Sequence, residues 1–303
     1  MPATVHTIPG YAEAYSLGLS EVFENSLKQH KKTYTAWLRE ESISRWYDTD
    51  WAYSGLPPMP SKGMGENFQT GQILKGPTKQ FTGAAYGLGI VIEHEAMKYE
   101  LYGIFKDLGG MLAKSAAQRV MIVAYSLLNN SFSAPDSNYQ TFQSENMISA
   151  THSRMDGGTW SNHLSSNPGL SYLAIQDMLI NLRKLVDERG NYGIVDPKML
   201  ITGEENGFQA RELLNSNTRP DQSNPGVINS IGALGVHTSP YITSTTAWWI
   251  ECAKEDVRIK LRWFEKPNLR KDFDFRNLNL LQTMYQAFNV YVFDTRGIAG
   301  STG

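Results

Sequence analysis

The sequence is poor in the residues that most often build redox and metal sites. Cys252 is the only cysteine among 303 residues, so the chain cannot form an intramolecular disulfide or a cysteine-rich zinc site. The segment "EHEAMK" starts like a zinc-protease helix, but Lys98 stands where the second histidine ligand belongs. We therefore expect no metal, no cofactor and a reducing compartment.

Long apolar runs and strong net charge are also missing. Nowhere do about 18 apolar residues follow one another, as a membrane-spanning helix requires. The N-terminal stretch "MPATVHTIPGYAEAYS" lacks the charged start and apolar core of a signal peptide. The formal net charge of −2 gives no overall attraction to nucleic acid or to an anionic membrane. We expect neither secretion by a signal peptide nor membrane insertion.

Catalytic motifs are weak. The segment "YGLGIVIEHE" has two glycines of a dinucleotide fingerprint but lacks the third, and no GxSxG nucleophile elbow is present. Asp272 and Asp274 alternate with phenylalanines, which favours ion pairing on a strand over acid–base chemistry. We predict that the protein is not an enzyme. One alternative stays open, a soluble oligomeric enzyme with its site in the loops 130–170 and 215–234.

A glycine-rich and proline-rich segment is prominent in residues 55–83. Its sequence, "GLPPMPSKGMGENFQTGQILKGPTKQFTG", has six glycines and four prolines, which disfavour a long helix. Its few large apolar residues cannot close a core by themselves. Aromatic residues on both sides indicate a long two-stranded hairpin with packed ends. A loop of this length is either disordered or functional.

Residues 93–129 carry apolar side chains at a period of 3.6 residues, which predicts one long amphipathic helix. If continuous, it would be about 55 Å long. Gly109 and Gly110 are the predicted position of a bend, because glycine weakens a helix.

The segment "DVRIKLRWF" alternates apolar and basic residues, which predicts a half-buried strand. Its apolar face should pack beneath the long helix and form a core of Leu101, Phe105, Leu108, Ile259, Leu261 and Trp263. Its other face should present an exposed basic row of Arg258, Lys260 and Arg262. Helices and strands follow in mixed order without a run of βαβ units, so the fold class is α+β.

This order of parts resembles the major capsid (head) proteins of tailed bacteriophages, which have the Hong Kong 97-type fold, and within them the head subunits of Mu-like phages. The resemblance covers nearly the whole chain. It rests on "FTGAAYGLGIVIEHEAMKYELYG", "THSRMDGGTWSNHLS", "PKMLITGEENGFQARELLNS", "SPYITSTTAWWI" and "DTRGIAGSTG" in this order and spacing.

The resemblance implies a domain organisation. It implies an N-terminal arm (1–45), an extended loop (46–88), a peripheral domain with the spine helix (89–129 and 254–290) and an axial domain (130–253 and 291–303). The extended loop would lie across a neighbouring subunit, through Met59, Lys62, Met64, Phe68, Ile73, Leu74, Lys75 and Lys79. Lys62, Lys75 and Lys79 are also the available donors if a loop lysine is cross-linked to a neighbour.

The resemblance also implies a structural function. Copies of the chain would assemble into hexameric and pentameric capsomers that form an icosahedral or prolate virion head around double-stranded DNA, after assembly in the cytoplasm of the bacterial host. The implied partners are the chain itself, a scaffolding protein supplied as a separate chain, a portal and non-specifically bound DNA, with a decoration protein left open. The alternative is an encapsulin-like compartment of the same fold with a protein cargo.

Overall fold

A computed structural model describes residues 21–99, 107–193, 195–220, 226–232, 234–274 and 276–303. The elements in these ranges are α1 (21–29), β1 (Arg39–Ser42), β2 (Tyr47–Tyr53), β3 (Lys75–Thr82), β4 (Ala84–Ile92), α2 (His94–Lys98), α3 (Leu108–Asn129), β5 (His152–Ser153), β6 (Thr159–Trp160), α4 (Tyr172–Arg183), β7 (Pro197–Thr202), α5 (Gly207–Asn215), β8 (Gly235–Thr238), β9 (Trp248–Cys252), β10 (Arg258–Phe273), β11 (Leu280–Asp294) and β12 (Ile298–Ser301). Their mixed order confirms the α+β prediction.

The first sheet has the strand order β1-β10-β11-β4. The long strands β10 and β11 are antiparallel, β4 pairs with the far side of β11, and the short β1 runs parallel to β10. The strand β10 continues to Phe273, beyond the segment in which the sequence predicted it. Pro267 is tolerated within β10 because it lies at a register shift and beyond the end of β1, where no ladder partner needs its missing N–H.

The helix predicted over 93–129 is not continuous. The short α2 ends at Lys98, and α3 begins at Leu108 and runs for 22 residues, or about 33 Å. Gly109 and Gly110 therefore lie in the first turn of α3. Leu101 and Phe105 lie outside the described residues.

The strand β10 buries Ile259, Leu261 and Trp263, which are 2%, 0% and 4% exposed. They share one cluster with Val120 and Leu128, which lie in the second half of α3. The predicted contact with Leu108 is wrong. Leu108 packs in a separate cluster with Ile92 and Leu280, because it lies at the other end of the helix.

The second sheet has the order β12-β9-β7-β8, and all its pairs are antiparallel except β7 with β8. One face packs on α4 and α5 through Leu200, Trp248 and Ile250. The opposite face contributes Ile201 and Trp249 to the cluster beneath α3, so the two sheets share a core. Within the described ranges, no helix combines the length and apolarity needed to cross a bilayer.

Candidate intersubunit surface

The segment between β2 and β3 is a long excursion that leaves the rest of the chain. It has no helix or strand between Ser54 and Leu74. Its apolar side chains point to solvent: Met59 and Met64 are fully exposed and Phe68 is 84% exposed. Exposed apolar side chains concentrated in one segment mark an interaction surface. We call residues 54–74 the extended segment.

Two of the predicted loop lysines lie on aromatic rings of the same hairpin. The Nζ atom of Lys62 is 4.6 Å from the centre of the Phe68 ring, and that of Lys75 is 4.7 Å from the Trp51 ring. Both lysines are exposed. Ile73 is also exposed, whereas Leu74 is half-buried at the root of the segment.

Lys79 is not part of the exposed surface. Its side chain is buried, and Nζ donates hydrogen bonds to the carbonyl oxygens of Val292, at 2.8 Å, and of Gln140. Burial lowers the pKa of Lys79 to about 7. The prediction that Lys79 contacts a neighbour or donates a cross-link is therefore contradicted, because the alternation of β3 turns Lys79 and Phe81 toward β11.

The predicted exposed basic row of β10 divides into three environments. Arg258 is exposed, and Lys260 is half-buried with its Nζ 2.6 Å from Glu41 Oε1. Arg262 is only 5% exposed, so its place in an exposed row is wrong. The reason is that β2 crosses this face of the sheet and covers Arg262.

Three carboxylates surround Arg262. Asp48 and Asp50 of β2 accept from its Nη atoms, and Glu41 lies 3.5 Å from Nε. The hydroxyl of Tyr291 donates to Asp50, and burial together with that carboxylate raises the pKa of Tyr291. The network fastens the hairpin that carries the extended segment to the first sheet. The alternation "YDTDWAY" in β2, with two carboxylates on one face, is the sequence signal that sequence reasoning missed.

Other chemistry-bearing side chains have structural environments. Cys252 is buried, and burial raises the pKa of its thiol to about 12, which does not suit a nucleophile at neutral pH. His152 lies 2.9 Å from both Glu145 and Asn162 and stacks on Trp160, and burial lowers its pKa. In the part of the chain that is described, no three His, Cys, Asp or Glu side chains group as metal ligands.

The described residues combine two four-stranded sheets that share a core with an exposed extended segment. The sequence model of the family described as phage capsid protein matches residues 77–301. The chain belongs to the phage capsid protein family. No curated protein sequence matches it.

Solved structures with similar folds include phage capsids and an encapsulin. The procapsid protein of bacteriophage JBD30 is 12% identical with a TM-score of 0.54, over 98% of this chain and 76% of that one. The capsid protein of Ralstonia phage GP4 is 11% identical with a TM-score of 0.55, over 87% and 86%. The SrpI encapsulin of Synechococcus elongatus PCC 7942 is 10% identical with a TM-score of 0.53, over 91% and 89%. This phage capsid protein therefore has the Hong Kong 97-like fold, as its resemblance predicted.

Proposed function

We propose that this chain is the major subunit of a phage head, and that its copies contact one another through the extended segment. Capsomers of six and five copies would close into a shell around double-stranded DNA. The membership in the phage capsid family supports a shell protein, and the finer description of capsomers and contents is our proposal. As part of this proposal, its kin include the head subunits of Mu-like phages.

The observation that carries the proposal is the exposure of the extended segment. Met59, Met64, Phe68 and Ile73 are all more than half exposed in the single chain. Exposed apolar side chains do not stabilise a monomer, whereas contact with a neighbouring copy would remove them from water. Together with Lys62, Leu74 and Lys75 they form the proposed intersubunit loop. Lys79 is not part of this loop, because its side chain is buried within the subunit.

The remaining assignments are part of the same proposal. The N-terminal arm covers 1–45, the extended loop 46–88, the peripheral domain 89–129 and 254–290, and the axial domain 130–253 and 291–303. A separate scaffolding protein, a portal and non-specific contact with packaged DNA complete the proposed partners. Assembly would take place in the cytoplasm of the bacterial host, and the mature location would be the virion.

Electron microscopy of the purified full chain tests the proposal, first alone and then with lysate of the infected host as a source of scaffold. We expect closed shells, and nuclease-resistant double-stranded DNA within those recovered from infected cells. A chain that remains a monomer or a small discrete oligomer across salt and pH, with or without the lysate, would contradict it.

A second candidate is an encapsulin-like compartment. The chain shares its fold with the SrpI encapsulin over 89% of that chain, and this likeness supports the second candidate. The contents of the particles separate the two functions. A stoichiometric protein cargo and no nucleic acid would support the compartment, whereas packaged DNA supports the phage head.

A further inference from the structure

The turn that follows α4 presents one arginine in a fixed orientation. Asp187 Oδ1 accepts hydrogen bonds from the backbone N–H groups of Arg189, at 2.8 Å, and Asn191, at 2.9 Å. Gly190 has a φ of +81°, which glycine adopts without strain. Residues 188–191, "ERGN", lie in this turn, five residues beyond the end of α4, and the side chain of Arg189 points back to a distant part of the chain.

Arg189 bridges both arms of the extended segment at its root. Its Nε donates to the carbonyl oxygen of Gly55 at 2.8 Å and lies 3.3 Å from Ser54 Oγ, while Nη2 donates to the carbonyl oxygen of Gln72. The two arms are also joined to each other, because Ser54 N donates to Leu74 O and Leu74 N donates to Ser54 Oγ, both at 2.9 Å. We call these five residues the root latch.

The surroundings of the latch hold the turn itself in place. Glu188 Oε2 accepts from the backbone N–H of Met155 at 2.8 Å, and Glu188 Oε1 lies 2.6 Å from Arg296 Nη1. The side chain of Met155 fills the space beside Gly76, where a Cβ atom would come within 2.4 Å of it. The latch is therefore anchored to a turn that is separate in sequence from the hairpin and is itself held by Met155 and Arg296.

A guanidinium suits this position better than an ammonium. Nε and Nη2 lie on one planar edge, so they can donate to two acceptors on different arms at the same time. The latch ends at the root, since Ser54 is buried and Leu74 is half-buried, whereas residues 55–73 between them are exposed. Arg189 thus acts on the direction of the segment and leaves its tip free to contact another surface.

We propose that Arg189 is a positioning residue that fixes, in the unassembled subunit, the direction in which the extended segment leaves the molecule. This inference rests on the proposed function, because the direction matters only if the segment reaches a neighbouring copy. A segment that already points in one direction loses less conformational freedom on binding. The latch therefore lowers the subunit concentration at which shells form.

The test compares Arg189→Lys, which keeps the charge and loses the planar fork, with Arg183→Lys at the exposed end of α4 as a matched control. Hydrogen exchange is measured on the unassembled full chain. We expect the amides of Ser54 and Leu74 to exchange at least about tenfold faster in Arg189→Lys, as loss of hydrogen bonds from a charged donor implies, and amides of β10 and β11 to be unchanged. The concentration needed for shell formation should rise several-fold at an unchanged melting temperature.

A second variant, Ser54→Ala, removes an acceptor without touching the turn. Its effect on Leu74 exchange should not add to that of Arg189→Lys, because both break one latch. Unchanged root exchange in Arg189→Lys overturns the latch, and faster exchange with normal assembly overturns its positioning role. If the wild-type chain forms no shells, the proposed function fails and the assembly role of Arg189 fails with it, while the exchange data still decide whether the latch exists.

Discussion

Lys79 and Arg262 are two buried basic residues that lie over the same ring, Tyr291, but their hydrogen-bond partners differ. Arg262 faces carboxylates, so its charge is balanced. Lys79 donates to backbone carbonyl oxygens, which carry only partial charge. Burial therefore disfavours the protonated form of Lys79 and lowers its pKa. The two residues should respond differently to pH and to substitution.

Lys79 should make the stability of the subunit rise with pH. Folding lowers its pKa from 10.5 to about 7, so between these values the unfolded chain holds a proton that the folded chain has released. The free energy of unfolding then increases with pH in this window, by up to about 1.4 kcal/mol per pH unit. Urea unfolding of unassembled subunits at pH 7, 8 and 9 measures it.

The matched pair Lys79→Met and Lys75→Met isolates this contribution. Both lysines lie on β3, one buried and one exposed. Lys79→Met should flatten the dependence of stability on pH, and Lys75→Met should leave it as in the wild type. A pH slope that survives in Lys79→Met would show that another group titrates in this window.

Arg262 should matter more than its neighbour Arg258. Arg262→Ala leaves Asp48 and Asp50, which are 38% and 36% exposed, without their cation, while Glu41 keeps its ion pair with Lys260; an unpaired group of this kind costs about 1–3 kcal/mol. Arg258→Ala removes an exposed cation 5.7 Å from the Phe293 ring, which is worth about 1 kcal/mol or less. Denaturant unfolding of both variants checks the difference, and equal losses would contradict the assigned environments.

At the scale of elements, the sequence predicts which side chains of a single strand face inward, but it does not predict which elements lie across one another. The alternation in "DVRIKLRWF" indicates which side chains of β10 face inward, because a strand has a period of two. It cannot show that β2 lies over Arg262, since Asp48 and Asp50 are more than 200 residues away in sequence. The shared core of the two sheets and the contact of Arg189 with Gly55 depend on similar long-range packing.

Glycines test the placement of α3. Gly110 lies in its first turn, and a Cβ there would meet Ser26 Oγ at an ordinary 3.6 Å. Gly110→Ala should therefore stabilise the subunit by about 0.5 kcal/mol, since alanine loses less backbone freedom on folding.

Gly300 of β12 provides the opposite case. In Gly300→Ala the new Cβ would lie 2.5 Å from the Trp249 ring, so we expect a loss of about 1–3 kcal/mol. Thermal melts of both variants measure these changes in stability. A lower melting temperature for Gly110→Ala would contradict its placement in the first turn and would place that glycine at a bend.

For the whole molecule, folding and assembly should be separable. Replacing residues 57–71 with a short Gly/Ser turn removes the exposed tip and keeps Gly55, Gln72 and the contacts of Arg189. We expect native circular dichroism and cooperative melting, because the removed side chains contribute little to the core, together with failure to form stable shells. Unfolding of this variant would place the tip in the intramolecular core, and normal shells would exclude it as the contact between copies.

On its C-terminal side, the hairpin that carries the extended segment is joined to the first sheet by a single residue. The strand β3 ends at Thr82, Gly83 follows, and β4 begins at Ala84, where it pairs with β11 over nine residues. A pull on the segment along β4 loads that ladder in shear, so its hydrogen bonds must yield together and not one after another. The subunit is therefore built to resist tension transmitted by a neighbour along this path, whereas a force that peels β4 sideways from its free edge would meet one bond at a time.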